Sequence, residues 1–155
     1  EVWRLFLQGH NENGVFDIAP DKVEWFMHRA IFPENIPPWD TGTRGLIGVS
    51  GPTNALEALV FLVIDSYWYS RDKYLSEMLV YVDPEHRKSD HAKGIIAWMK
   101  KQVELTGLPL LTGIISNHRT EAKCRLYRRT MPKIGEFYYV EPSKKQMGEH
   151  IVNGA

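Results

Sequence analysis

Residues 82–96, Val-Asp-Pro-Glu-His-Arg-Lys-Ser-Asp-His-Ala-Lys-Gly-Ile-Ile, leave an apolar run at Asp83-Pro84 and set His86, Arg87, Lys88 and Ser89 ahead of a helical pattern. A helix start carries four backbone N–H groups without intrahelical partners and the positive end of the dipole, so cations placed there suit an anion such as a diphosphate. Asp90 sets a negative charge among them. The same residues also have a reading without a ligand: Ser89 or Asp90 caps the helix, and an acid in the first turn is stabilising in itself. Just upstream, Glu77 interrupts the apolar run Leu-Ser-Glu-Met-Leu-Val-Tyr-Val of residues 75–82. A carboxylate in such a strand needs a partner or a task, unless alternation turns it to solvent together with Leu75 and Leu79.

Other reactive side chains carry less. His86, His91 and His118 do not share a helix face with another ligand at the usual spacing, and no metal site is expected from them. Cys124 lies between Lys123 and Arg125 without a histidine and an orienting group in pattern with it, and reads as structural. Arg119, Lys123, Arg125, Arg128 and Arg129 gather on one short helix, where they can meet phosphates, a nucleic acid or an acidic partner, or simply form a solvated face. Trp25, Phe26, Trp39, Trp68 and Tyr69 either line an acceptor pocket or belong to the core.

These residues need a scaffold, and 155 residues are enough for one ordinary core and short for two, so a single domain is expected. Nineteen basic residues balance nineteen acidic ones, which excludes a global basic field of the kind that drives non-specific nucleic-acid binding. One cysteine excludes an intramolecular disulfide and a multi-cysteine zinc site, and suits a reducing, cytoplasmic setting. The longest apolar run, Ala58 to Ile64, is far short of a membrane span, and no membrane role is expected. The chain opens on Glu1 rather than methionine, so a trimmed N-terminus and a missing first element are expected.

Pro20 and Asp21 open a helix whose apolar positions Val23, Phe26, Met27 and Ala30 recur at helical spacing up to Pro33. Residues 33–45 are rich in Pro, Gly, Asp and Thr and read as a surface loop near whatever binds. Leu46–Val49, Ala58–Tyr69 and Tyr74–Val82 read as strands, the last two antiparallel. Ala92, Ile95, Ile96, Met99 and Val103 mark a central helix from Ser89 to Thr106, stopped by Gly107 and Pro109. Leu110–Ile115 follows as a buried parallel strand, Arg119–Arg129 as a last helix, and Phe137–Val140 as a strand closing the sheet. The order implies an α+β, three-layer plan with a mixed, mainly antiparallel sheet flanked by helices, in which a strand–helix–strand crossover starts at the basic turn.

This order and these motifs resemble the GNAT superfamily of acyl-CoA-dependent N-acyltransferases. That family's signature is a strand ending in Val-x-Pro-x-x-Arg that runs into Arg/Gln-x-x-Gly-x-Gly/Ala. Val82, Pro84 and Arg87 match it, Ala92 takes the last small position, and Asp90 stands where the first glycine is expected. Asn117, Ala122, Leu126 and Tyr127 are similar to the family's Asn…Ala…Leu-Tyr segment, although the gap is about one helical turn longer and Met131-Pro132 replaces Gly-Phe. The likeness covers about Leu46 to Val140.

The resemblance implies an N-acetyltransferase moving an acetyl group from acetyl-CoA to a primary amine by direct attack. It implies Tyr127 as the acid for the leaving thiolate and Glu77 as the base, directly or through water. The coenzyme would lie along the splayed backbone of Leu79, Val80, Tyr81 and Val82, with its diphosphate at Arg87, Lys88, Ser89, Asp90, His91 and Ala92 and with Asn117 nearby. Asp90 must then face aside, as the cap or toward Lys93. The acceptor is a small-molecule or protein amine, the protein a monomer or homodimer. Two rivals remain: a GNAT-fold protein with another donor or with a nucleic-acid or protein acceptor, of phage or mobile-element type, and a catalytically silent binding module in which Asp90 marks a lost coenzyme site.

Overall fold

The computed structural model describes residues 1–40, 42–114, 120–138 and 140. Among these residues four α-helices, α1 (Val2–Asn13), α2 (Pro20–Ile31), α3 (His91–Thr106) and α4 (Thr120–Arg128), surround four strands, β1 (Arg44–Ser50), β2 (Ala58–Ser66), β3 (Lys73–Val82) and β4 (Leu110–Leu111). The strands lie in chain order in one sheet, with β1–β2 and β2–β3 antiparallel and β3–β4 parallel. This is the mixed α+β plan expected, with α3 as the crossover between the parallel pair.

Helix α1 has no counterpart among the elements expected from sequence. Its signal is present: Val2, Leu5, Phe6 and Gly9 recur at i, i+3, i+4 and i+7, and Leu5 is fully buried against Leu56, Leu59 and Tyr81. Helix α2 starts at Pro20 as expected. Helix α3 ends at Gly107, whose φ of 67° is the left-handed stop that glycine adopts at little cost and whose N–H donates to the Val103 carbonyl.

Both faces of β2 are buried, which explains its unbroken apolar run. Ala58, Val60 and Leu62 pack with Leu75 beneath Ile95, Ile96 and Met99 of α3, while Leu59 packs on the α1 side. One irregularity sets the rest. Phe61 pairs with Leu79 but Leu62 pairs with Glu77, so Met78 is an extra residue in β3. The bulge inverts the alternation along β3. Leu75 and Glu77 before it, and Val80 and Val82 after it, share the α3 side, whereas Leu79 and Tyr81 turn to α1. Glu77 therefore does not share a face with Leu79, and the solvent-facing alternative for it falls.

Several boundaries differ from expectation. Strand β2 ends at Ser66 rather than Tyr69, and β4 holds only Leu110 and Leu111; Ile115, at the end of the expected strand, lies outside the described residues. Phe137, Tyr138 and Val140 form no strand. The Phe137 ring instead packs against Gly113. A side-chain contact thus replaces the expected ladder. Loop 33–45 opens with a 3₁₀ turn at Pro33–Asn35 and is tied to α2 by buried Arg29, whose guanidinium meets Asp40 at 2.5 and 3.2 Å and donates to the Thr43 carbonyl. That guanidinium holds the Asp40 carboxyl at about 2.

Candidate active site

Strands β3 and β4 pair at only two positions, Leu75–Leu110 and Ser76–Leu111, preceded by one bond from the Leu75 N–H to the Pro109 carbonyl. Beyond Ser76, among the described residues, no strand continues the ladder on that edge of β3. The separation opens a cavity of about 570 Å³ between β3, the chain after β4, α4 and the C-terminal end of α1. Leu79, Val80, Tyr81 and Val82 all line it, as do Arg87, Ser89 and Ala92 from the turn and the head of α3. A strand edge without its neighbour leaves backbone N–H and C=O groups that an extended ligand can pair with.

Glu77 and Tyr127 meet at this cavity. The Tyr127 hydroxyl donates to Glu77 Oε2 at 2.7 Å, joining α4 to β3 across 50 residues of sequence. Alternation from buried Leu75, ahead of the bulge, places Glu77 on the face toward α4, and the packing of Leu126 and Tyr127 on the α3-side core fixes the tyrosine. Burial raises the Glu77 carboxyl to about 7, against the lowering effects of the Tyr127 bond and the Lys123 charge. Burial also raises the Tyr127 phenol, with the Glu77 carboxylate adding to it. The pair combines a carboxyl poised near neutrality with a phenol that keeps its proton, the requirement for a base and an acid working side by side.

At the head of α3, Asp90 faces aside. Its carboxylate pairs with Lys93 Nζ at 2.7 Å, both side chains largely in solvent, and that hydrogen bond, with the Lys93 charge, holds its carboxyl below the usual range. Asp90 occupies the N-cap position without a side-chain cap bond; Ser89 Oγ takes the His91 N–H at 3.2 Å instead and donates to the His86 carbonyl at 2.6 Å. Arg87 is engaged within the protein. Its Nη2 pairs with Glu12 at the end of α1, its Nε donates to the Val82 carbonyl at 3.1 Å, and its guanidinium lies 5.8 Å from the Tyr81 ring centre. Lys88 is exposed and does not line the cavity. The His91 ring turns away from the cavity, to Ser50 and Glu57. Asn117, His118 and Arg119 lie outside the described residues.

The structure also adds residues that sequence patterns did not single out. Glu12 and Asn13 reach the cavity from α1, and Lys123 Nζ donates to Asn13 Oδ1 at 2.5 Å. Tyr67 and Tyr74 form its aromatic wall, whereas Trp25, Phe26, Trp39, Trp68 and Tyr69 do not line it, nor does any described residue of loop 33–45. Cys124 is half-buried in α4. Glu12 and Asn13 were hidden with the helix that carries them, and Tyr74 by its place at a strand start.

No family model and no curated protein matches the chain. Solved structures do. The ribosomal-protein-alanine N-acetyltransferase of Brucella melitensis biovar Abortus 2308 superposes with a TM-score of 0.60 at 14% identity, over 90% of this chain and 88% of that one. An aminoglycoside acetyltransferase, meta-AAC0020, from an uncultured soil metagenomic sample and in complex with trehalose, gives 0.58 at 13% identity over 91% and 86%. The aminoglycoside antibiotic 6'-N-acetyltransferase AAC(6')-IG of Acinetobacter haemolyticus gives 0.57 at 12% identity over 91% and 92%. The chain therefore has the fold of the GNAT N-acetyltransferases. Among the described residues no helix is long and apolar enough to cross a membrane.

Proposed function

We propose that the protein is a GNAT-type N-acetyltransferase that transfers an acetyl group from acetyl-CoA to a primary amine. The observation that carries this reading is the Glu77–Tyr127 hydrogen bond inside the cavity opened by the parting of β3 and β4. The donor's pantetheine arm would pair with the edge of β3 at residues 79–82, and its diphosphate would meet Ser89 and the N–H groups at the head of α3.

The chemistry then balances on two side chains. The neutral amine attacks the thioester carbon; Glu77 accepts the proton the nitrogen sheds, and the C–S bond breaks as Tyr127 gives its proton to the sulfur. The direct bond between the two lets Glu77 return a proton to Tyr127. The acceptor is an amine of a small molecule or a protein, and the aromatic wall of Tyr67 and Tyr74 supports a flat or glycosidic surface beside that amine.

One observation favours the silent-module reading instead. Arg87, which the signature assigns to the diphosphate, is already paired with Glu12. Calorimetric titration with acetyl-CoA, followed by thiol release in the presence of a panel of primary amines, separates the two. Binding at micromolar concentration with amine-dependent thiol release that falls sharply in Tyr127→Phe supports the enzyme. No binding at millimolar acetyl-CoA by the folded protein overturns it.

A further inference from the structure

On the side of the α3 head facing away from the cavity, three segments bring Glu57, His86 and His91 together, with one ligand atom from each within 4.8 Å of the others. His91 Nε2 lies 2.5 Å and His86 Nδ1 3.3 Å from the same carboxylate oxygen, Oε2 of Glu57. A tetrahedral ion with bonds of about 2.0–2.1 Å spaces its ligand atoms about 3.3 Å apart, within the span that these three atoms bracket. The second ring nitrogen of His91 is 2.9 Å from Ser50 Oγ. A proton on that nitrogen, donated to Ser50, leaves the Nε2 lone pair free to ligate, the outer-sphere arrangement that fixes the tautomer of metal-binding histidines.

The frame around the three residues is fixed by backbone bonds. The Glu57 N–H donates to the Ser50 carbonyl at 2.9 Å, the Asp83 N–H to the Glu57 carbonyl at 2.8 Å, and the His86 N–H to the Asp83 carbonyl at 2.9 Å. The His86 side chain is 40% exposed, those of Glu57 and His91 23% and 17%, so the cluster is partly sheltered and has an outer side for a water ligand. We propose that Glu57, His86 and His91 form a binding site for a divalent transition-metal ion of the zinc class. Two imidazoles and a single carboxylate match a borderline ion and disfavour calcium or magnesium, which prefer several oxygen ligands. Such an ion links the start of β2, the turn that follows β3 and the head of α3, and it does not depend on the acetyltransferase reading.

The test uses the whole chain stripped of metal with a chelator. Titration with ZnCl₂ is followed by calorimetry and by the melting temperature, and Co²⁺ is added separately to read the visible absorption of a four-coordinate site. The expected result is one ion per chain at micromolar or lower Kd, a rise in melting temperature, and at least tenfold weaker binding in Glu57→Gln, His86→Asn and His91→Asn. His86, the most exposed of the three, gives the variant least at risk of misfolding, and circular dichroism of each metal-free variant checks its fold. No binding by the wild type, or one-to-one binding that His86→Asn and Glu57→Gln leave unchanged, overturns the proposal.

Discussion

Glu77 is the residue on which the chemistry turns, and its ionisation can be read in two ways. As a base it must be deprotonated, so kcat/KM should rise with pH through about 7, the value to which burial lifts it. Glu77→Gln should remove that limb and cost on the order of 100-fold or more in kcat/KM. Stability runs the other way. A carboxyl whose folded pKa exceeds its unfolded value binds its proton more tightly when folded, so its contribution is complete below about 4.5 and is lost as pH rises through about 7. Urea melts should therefore show Glu77→Gln gaining on the wild type between these pH values, by a total of about 3 kcal/mol, and by no more above them. At Arg87 the contest is between Glu12 and a ligand phosphate. Glu12→Gln should tighten acetyl-CoA binding several-fold, and Arg87→Ala should weaken it about tenfold, both readable by calorimetry. The sequence left two directions for the Asp90 side chain, as cap or toward Lys93 one turn along, and it takes the second. The engagement of Arg87 was not legible there, since its partner sits 75 residues away.

Among the elements, β1 is shaped by how closely helices approach it. A Cβ at Gly48 would stand 2.8 Å from Val60 Cγ1 and 2.9 Å from the Trp98 ring of α3. Gly48→Ala should therefore destabilise the fold by about 1–3 kcal/mol through overpacking. In a chain of this size that lowers Tm by about 2–4 °C per kcal/mol, which a thermal melt will register. The central helix was legible because its apolar period is strong and Gly107 and Pro109 stop it, and the two long strands because their apolar runs are long, although β2, which no Gly or Pro ends, stops three residues earlier than expected. The bulge at Met78 was not legible. One surplus residue in an apolar run leaves no compositional mark, yet it reverses which side of β3 every later residue faces. The closing strand expected at 137–140 is absent among the residues described there, for a related reason. The Phe137 ring lies against Gly113, and pattern alone does not distinguish a ladder from such a contact.

Across the whole molecule, charge is balanced, with nineteen residues of each sign. Of the basic side chains on α4, Lys123 acts electrostatically on Glu77 rather than facing outward alone. The protein should consequently elute from heparin at low salt, with little of the steep salt dependence that many phosphate contacts produce. Strong retention that salt abolishes would move the reading toward a nucleic-acid acceptor. The three-layer plan was legible from the order of helices and strands. The cavity was implied only by the resemblance, through the splayed backbone of residues 79–82, because it is made by the parting of two strands and no side-chain pattern encodes it.

That parting has a consequence for how the sheet breathes. Only two residue pairs and the Leu75–Pro109 bond hold β4 to β3, whereas β2 grips β3 along nine. The sheet is thus a firm three-stranded slab with a loosely pinned fourth member, and the pins lie at one end of the gap. Amide hydrogen exchange should be slow throughout β2 and fast at Leu110 and Leu111. An extended donor seated along residues 79–82 would supply the rungs that β4 leaves out. Exchange at those amides should slow on addition of acetyl-CoA, and the ligand would then act as the missing strand of its own host.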